Sequence, residues 1–539
     1  MTALSIREIL GSLRAIINMH REYRTFALIL MLLFSVRALS LAEQPASGRH
    51  VVVIVWDGMR PDFVSEENTP VLRRIAKEGV VFRNHHPVYP SSTEVNGVAL
   101  ATGVYPARSG VLANHEYRSE INDRKSIDTE NLRTVRKSDE LSGGKYIGFP
   151  TIAELVRKAG HRTIIASAKG VGLLQDRDIS HSGETNHVTL FAGNLIPQSA
   201  LAPIVTRLGP FPSPEKTHAL HDNWTTSALA EFLWKDGVPD FSLVWLSEPD
   251  DSEHHFAPGS KEAIAAIKAS DANLGRIVAA LDRHRVREST DIFVVSDHGF
   301  STIERSVDLP NILKQAGFDA VTEFENEPKP GQIMLAGNGG TVLFYVVQHD
   351  AAVIRRLVEF LQQSDFAGVI FTKSPMEGTF GLAAAEIDND HAPDFEMSFR
   401  WKDSKNQFGV SGMIDADWQR RAGKGTHATL GRFDMHNTLI VAGPDFQQGQ
   451  SDNLPSGNVD LAPTILRILE IDSPSGLDGR ILSEAMVKGD PQSLSAKTST
   501  VEAKRDFPSG TWRQTLQISR VGSTSYLDEG NGAFVPKRP

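Results

Sequence analysis

Three short apolar runs in this chain lead directly to acidic side chains. Val51–Trp56 runs into Asp57, Ser242–Leu246 leads to Glu248-Pro249-Asp250, and Asp291–Ser296 runs into Asp297-His298-Gly299. Continuous apolar runs of this length fit strands buried on both faces. Helical patterns lie between them. Thr69–Gly79 carries proline just inside its start and glycine at its end, and Thr151–Ala159 is stopped by Gly160. Lys261–His284 repeats Ile264, Ile267, Leu274, Ile277, Val278 and Leu281 on one face. Alternating strands and helices predict a mostly parallel central sheet flanked by helices, an α/β fold. In such sheets a site lies beyond the carboxyl ends of the strands, which is where the acids are delivered.

The chain has 539 residues, enough for one large domain with insertions or for two domains. Its formal net charge of −10 argues against a nucleic-acid scaffold, which would carry a basic face. A phosphate ester remains open as a small-molecule substrate, because bound metal ions invert the local potential. With no cysteine, any metal must sit on Asp, Glu and His.

Arg7, Arg14, Arg21 and Arg24 precede the apolar run Phe26–Val36, and small residues follow at Ser40 and Ala42. This pattern predicts a secretory signal peptide over residues 1–42, and hence a periplasmic or extracellular protein. The run is short for a membrane span, which needs roughly 20 apolar residues. The long basic region leaves Met19 as an alternative start. The mature chain is expected to hold no transmembrane helix.

The remainder divides by pattern. Residues 49–299 read as the first part of a core and 300–425 as a smaller inserted cap. Residues 426–490 return to the core, and 491–539 form a linker and a C-terminal hairpin. Asn114–Ser142 is polar and weakly periodic, a predicted loop. Gly170–Pro214 reads as an irregular rim, and Asp490–Lys504 as a flexible connection.

Asp57, Asp250, His254, Asp297, His298 and His427 all fall at loop positions. Asp250 and His254 are four apart and share a face if that turn is helical. Asp297 and His298 are adjacent at a strand end, and His427 sits in the glycine-flanked Gly425–Gly431. Zinc takes carboxylate oxygen and imidazole nitrogen, and two such ions would make a hydrolytic pair. Thr93, in Tyr89-Pro90-Ser91-Ser92-Thr93, stands near the start of a predicted helix ending at Gly103. Taken singly, an acid after a strand or a threonine before a helix reads as a cap.

In order along the chain, Val-Trp-Asp57-Gly, Tyr-Pro-Ser-Ser-Thr93-x-x-Asn96, Glu-Pro-Asp250-x-x-x-His254, Ser-Asp297-His298-Gly and Thr-His427 resemble the type I phosphodiesterase/nucleotide pyrophosphatase family of the alkaline phosphatase superfamily. Val459-Asp-Leu-Ala-Pro-Thr-Ile and Asp478-Gly-Arg480 resemble the superfamily's C-terminal signature. The resemblance implies an alkaline-phosphatase-like fold and two Zn2+ ions. Asp250, His254 and His427 would hold one ion, and Asp57, Asp297 and His298 the other, with Thr93. Thr93 would be the nucleophile of a phosphoric ester hydrolase working through a phosphothreonine. Asn96 would donate to a phosphoryl oxygen.

Two departures bear on substrate. Glu94 follows the nucleophile where nucleotide-cleaving relatives tend to carry an aromatic, and Glu253 replaces a glycine. His255 is a rival to His254, and Asp434 and His436 could line the site. A sulfatase is disfavoured, because Ser91-Ser-Thr-Glu-Val lacks the required Pro and Arg. A phosphomonoesterase or phosphonate hydrolase stays open, with Lys169 as a candidate extra cation. A non-catalytic, metal-stabilised binding protein is the reading from another class.

Overall fold

A computed structural model describes residues 48–178, 187–213, 218–489 and 494–537. The predicted signal segment, 1–42, lies outside them. From Arg49 onwards the chain forms one unit built around a nine-stranded sheet. His50–Trp56 lies near its middle, parallel to Thr290–Val295 on one side and to Phe241–Leu246 on the other. Thr163–Ser167 continues the parallel order beside Phe241–Leu246. Leu439–Ala442 runs antiparallel against Thr290–Val295, so the late part of the chain returns to the sheet beside the acid-bearing strands.

The three acid-bearing strands are buried along nearly their whole length. Alternate side chains serve two cores. Val51, Val53 and Val55 pack on one face with Val98, Leu243 and Ile465. Val52, Ile54 and Trp56 pack on the other with Ile267, Leu274 and Ile277 of the Lys261–His284 helix. A strand covered on both faces needs no polar alternation, which is why these stretches read as continuous apolar runs. Their parallel register brings Asp57, the turn before Asp250, and Asp297 to one sheet edge.

Residues between Ser301 and Thr426 build two further sheets. One has six strands and includes Ile333–Gly337, Thr341–Val346 and Phe395–Phe399. The other pairs Ser301–Ser306 with Ser411–Ala416 and with Gly425–Thr426.

Three stretches depart from expectation. The Asn114–Ser142 loop contains a helix, Leu132–Ser142, capped by the Asn131 side chain and burying only Val135 and Ser138. Within Gly170–Pro214, His187–Phe191 and Asn194–Ile196 extend the central sheet to its edge. The expected flexible connection is largely a strand, Ala496–Phe507, the outer member of a three-stranded sheet with Gly510–Val521 and Thr524–Pro536. That strand is mostly exposed and polar, so its pairing leaves no apolar alternation to read. Among the described residues no helix is long and apolar enough to cross a membrane.

Candidate active site

The geometry begins at Asp57. Gly58 follows it with φ +74°, and a Cβ there would meet Phe300 at 3.0 Å and the Asp250 backbone at 3.2 Å. Glycine therefore permits the turn, and its N–H donates to Asp297 Oδ1 at 3.0 Å. Asp57 is locked from the other side by Trp245 Nε1–H, 2.8 Å from Oδ2. At Gly299 a Cβ would fall 2.0 Å from the Phe433 carbonyl, so the chain behind His298 presses directly on the 431–438 loop.

Asp250 and His254 do share one helical turn, in the helix Asp250–Phe256, with His254 Nε2 3.3 Å from Asp250 Oδ1. The pairing of Thr426 with Ser301 carries His427 alongside His298, their rings stacked at 3.7 Å. His427 Nε2 is 3.6 Å from Asp250 Oδ1. His298 Nε2 is 3.5 Å from Asp57 Oδ1, 3.3 Å from Asp297 Oδ2 and 4.0 Å from Asp250 Oδ1.

All three imidazoles are oriented alike. Nδ1 of His254, His298 and His427 faces the carbonyls of Gly425, Gly299 and Ser91 at 3.0, 2.9 and 2.8 Å. A backbone acceptor at Nδ1 places the proton there and leaves Nε2 with its lone pair, the arrangement metal-ligating histidines use. Burial pushes the His254 and His427 imidazoles down, which keeps them neutral.

On the carboxylates, Asp57 Oδ1, Asp250 Oδ1 and Asp297 Oδ2 are buried without any hydrogen-bond partner. Three such oxygens facing three imidazole lone pairs leave a polar space in which none of the three oxygens is met by a hydrogen-bond donor. A tetrahedral ion with bonds about 2.0–2.1 Å long holds its ligand atoms about 3.3–3.4 Å apart, close to the separations above. The donor set fits divalent cations. Asp250, His298 and His427 form one group able to hold an ion, and Asp57, Asp297 and His298 another. Burial pushes Asp57 up, with Asp297 adding to it, and pushes Asp297 up to about 7. Burial also raises Asp250, but Lys169 and His254 outweigh it and hold that carboxyl well below its ordinary value.

Thr93 opens the helix Thr93–Thr102, with Oγ1 3.2 Å from His298 Nε2. The preceding Ser92 makes no side-chain cap, and every residue of the helix is buried. Ser91 Oγ is spent on the Thr429 carbonyl.

Asn96 does not offer the free amide expected of it. Its Nδ2 donates to the carbonyls of Val88 and Ser92 at 3.1 and 3.0 Å, and its Oδ1 accepts from Val88 N–H and Asn458 Nδ2. The carboxamide is consumed in bracing the loop before Thr93. Asn114, which the sequence reading passed over, stands at the helix start instead. Its Oδ1 accepts from Glu94 N–H at 3.2 Å, and its Nδ2 makes no hydrogen bond among the described residues.

Lys169 Nζ lies 3.0 Å from Asp57 Oδ2 and 3.1 Å from Asp250 Oδ2. Burial opposes its charge, but Asp250 and Asp57 overcome that and raise it. Glu94 is buried; burial and then Glu130 push its carboxyl up. Glu253 is also fully buried. His255 is exposed and turned to the Asp251 carbonyl, away from the cluster. Asp434 holds Ser301 and Thr429, and His436 faces Asn84.

The type I phosphodiesterase/nucleotide pyrophosphatase family profile matches residues 51–394. Human ectonucleotide pyrophosphatase/phosphodiesterase family member 1 is 26% identical over 251 residues, 45% of this chain but only 22% of that relative. The human family member 5 is 23% identical over 463 residues, 82% of this chain and 79% of the relative. A solved structure of human ectonucleotide pyrophosphatase/phosphodiesterase 5 shares the fold, with TM-score 0.58 and 16% identity over 82% of this chain and 100% of that one. With the strand-end acids, the Thr93 helix, His254 and His298 falling within a matching profile that spans more than half of the chain, and His427 following it, the chain belongs to the type I phosphodiesterase/nucleotide pyrophosphatase family of the alkaline phosphatase superfamily.

Proposed function

We propose that this protein is an exported, zinc-dependent phosphoric ester hydrolase of the phosphodiesterase/nucleotide pyrophosphatase type, acting through a phosphothreonine at Thr93. The observation that carries this reading is the set of unpartnered oxygens on Asp57, Asp250 and Asp297 facing imidazole lone pairs beside the Thr93 hydroxyl. Export rests on the basic, apolar and small-residue pattern of the N-terminus.

Asp250, His254 and His427 would hold one zinc, and Asp57, Asp297 and His298 the other, with Thr93. Bound ions would supply Lewis acidity to the phosphoryl group and to the oxygens entering and leaving it. Thr93 Oγ1 attacks phosphorus and forms a threonine phosphoester while the bond to the leaving oxygen breaks. Water then cleaves that ester and restores the hydroxyl. The helix N-terminus favours negative charge on Oγ1. Asn114, anchored through Oδ1, presents its amide to a phosphoryl oxygen.

Lys169 favours a second reading. A monoester carries more charge than a diester, and an ammonium held between Asp57 and Asp250 would meet it, so phosphomonoesters or phosphonates are the alternative substrates. A chromogenic bis-ester and the matching monoester, assayed with zinc, separate the two. Bis-ester turnover that is lost in Thr93→Ala supports the primary reading. Preferential monoester turnover supports the second, and no turnover of either ester by zinc-loaded protein refutes both.

A further inference from the structure

A second cluster of ligand atoms lies where the C-terminal sheet meets the core. His86 follows the strand Val80–Phe82, His436 lies in the loop after His427, and Asp528 is on the last strand. Their ligand atoms all lie within 4.8 Å of one another. His86 Nε2 is 3.0 Å from Asp528 Oδ1, and the His86 and His436 rings are 4.6 Å apart. Asn84 Oδ1 is 3.0 Å from His436 Nε2.

Neutral imidazoles do not meet every acceptor in this cluster. His86 Nδ1 faces the Ser456 carbonyl at 3.0 Å, and His436 Nδ1 faces the Arg432 carbonyl at 2.9 Å. Each ring thus meets oxygen acceptors at both nitrogens, whereas a neutral imidazole has one N–H. Satisfying all four acceptors needs two adjacent imidazolium ions against a single carboxylate. Turning the Asn84 amide over and protonating His86 against Asp528 is the one metal-free arrangement that meets every group, and it is the alternative that the metal analysis below tests. The two histidines repeat the pattern of the candidate active site, with Nδ1 tied to backbone and Nε2 turned to oxygen. Asp528 is itself held by Ser519 Oγ–H, 2.9 Å from Oδ2.

The geometry points to a further divalent-cation site, of zinc type, formed by His86 Nε2, His436 Nε2, Asp528 Oδ1 and Asn84 Oδ1. Two nitrogens and two oxygens make a four-coordinate set suited to zinc. Its donors come from three distant parts of the chain, so the ion fastens the C-terminal sheet to the loop that follows His427. The site is structural and independent of the hydrolytic reading.

The test is metal content on the full chain, stripped with chelator, reloaded with zinc and desalted. Wild type is expected to retain one zinc more per chain than His436→Ala, and the same one more than Asp528→Asn. That difference holds whatever the candidate active site retains, so failure here and failure of the proposed function are separable. Crystals of the zinc-loaded wild type, which need no variant to fold, are expected to show anomalous scattering at the zinc edge beside His86 Nε2. Equal zinc content in wild type and folded His436→Ala, or no anomalous peak at that position, overturns the proposal.

Discussion

The hydroxyl of Thr93 lies 3.2 Å from Nε2 of His298, an imidazole that also faces Asp57 and Asp297. The proposed nucleophile and the candidate ligands therefore meet at one atom, although they come from a helix start and two strand ends. A shift in the loop that carries Thr93 would break this meeting, and Asn96 is what braces that loop.

Asn96→Ala and Asn114→Ala are predicted to fail in different ways. The first leaves Val88 N–H without its acceptor and should cost roughly 2–3 kcal/mol of stability. The second should lower kcat about 100-fold, with only a cap-sized stability loss of about 1 kcal/mol. Thermal melts beside kinetics separate the two; matched kcat losses with unchanged melting would contradict these roles.

Zinc affinity should weaken as pH falls below about 7. Burial pushes the Asp297 carboxyl up to about 7, so below that pH a proton occupies the group and must be displaced by the ion. Competition against a chelator at pH 6 and pH 8 measures this directly. Asp297→Asn should reduce zinc content, and unchanged content would remove Asp297 from the ligand set.

Lys169→Met should reduce monoester turnover about 10- to 100-fold more than bis-ester turnover, the loss of one charge-assisted contact to the extra phosphate charge. Equal losses on both esters would mean that Lys169 serves only to neutralise Asp57 and Asp250.

Glu396 gives a prediction about folding alone. It is fully buried on Phe395–Phe399, and burial pushes its carboxyl from 4.5 up to about 8. A raised acid contributes its stability while protonated, below its unfolded value, and loses it as pH rises through the folded value. Glu396→Gln should therefore gain in melting temperature relative to wild type between pH 6 and pH 9. A pH-independent difference would contradict the buried, protonated state.

The strand-end acids were legible in the sequence because strands buried on both faces announce themselves as apolar runs, and the residue after such a run has few places to go. Helix Lys261–His284 was legible for the same reason, through its one apolar face. Asn114 was not, because its role comes from chain closure across 20 residues onto Glu94 N–H, in a stretch with no periodicity. Lys169 was a lone cation after a strand until parallel pairing of Thr163–Ser167 with Phe241–Leu246 brought it between two acids. Asn96 misled because its place one turn after Thr93 suits a donor to substrate as well as it suits a loop brace.

The proposed function turns on attack by Thr93 on phosphorus. Zinc-loaded protein, quenched during turnover of a chromogenic bis-ester and digested, is predicted to carry one phosphoester adduct, on Thr93, that is absent from Thr93→Ala. Full turnover by Thr93→Ala, or an adduct on any other side chain, would contradict the account.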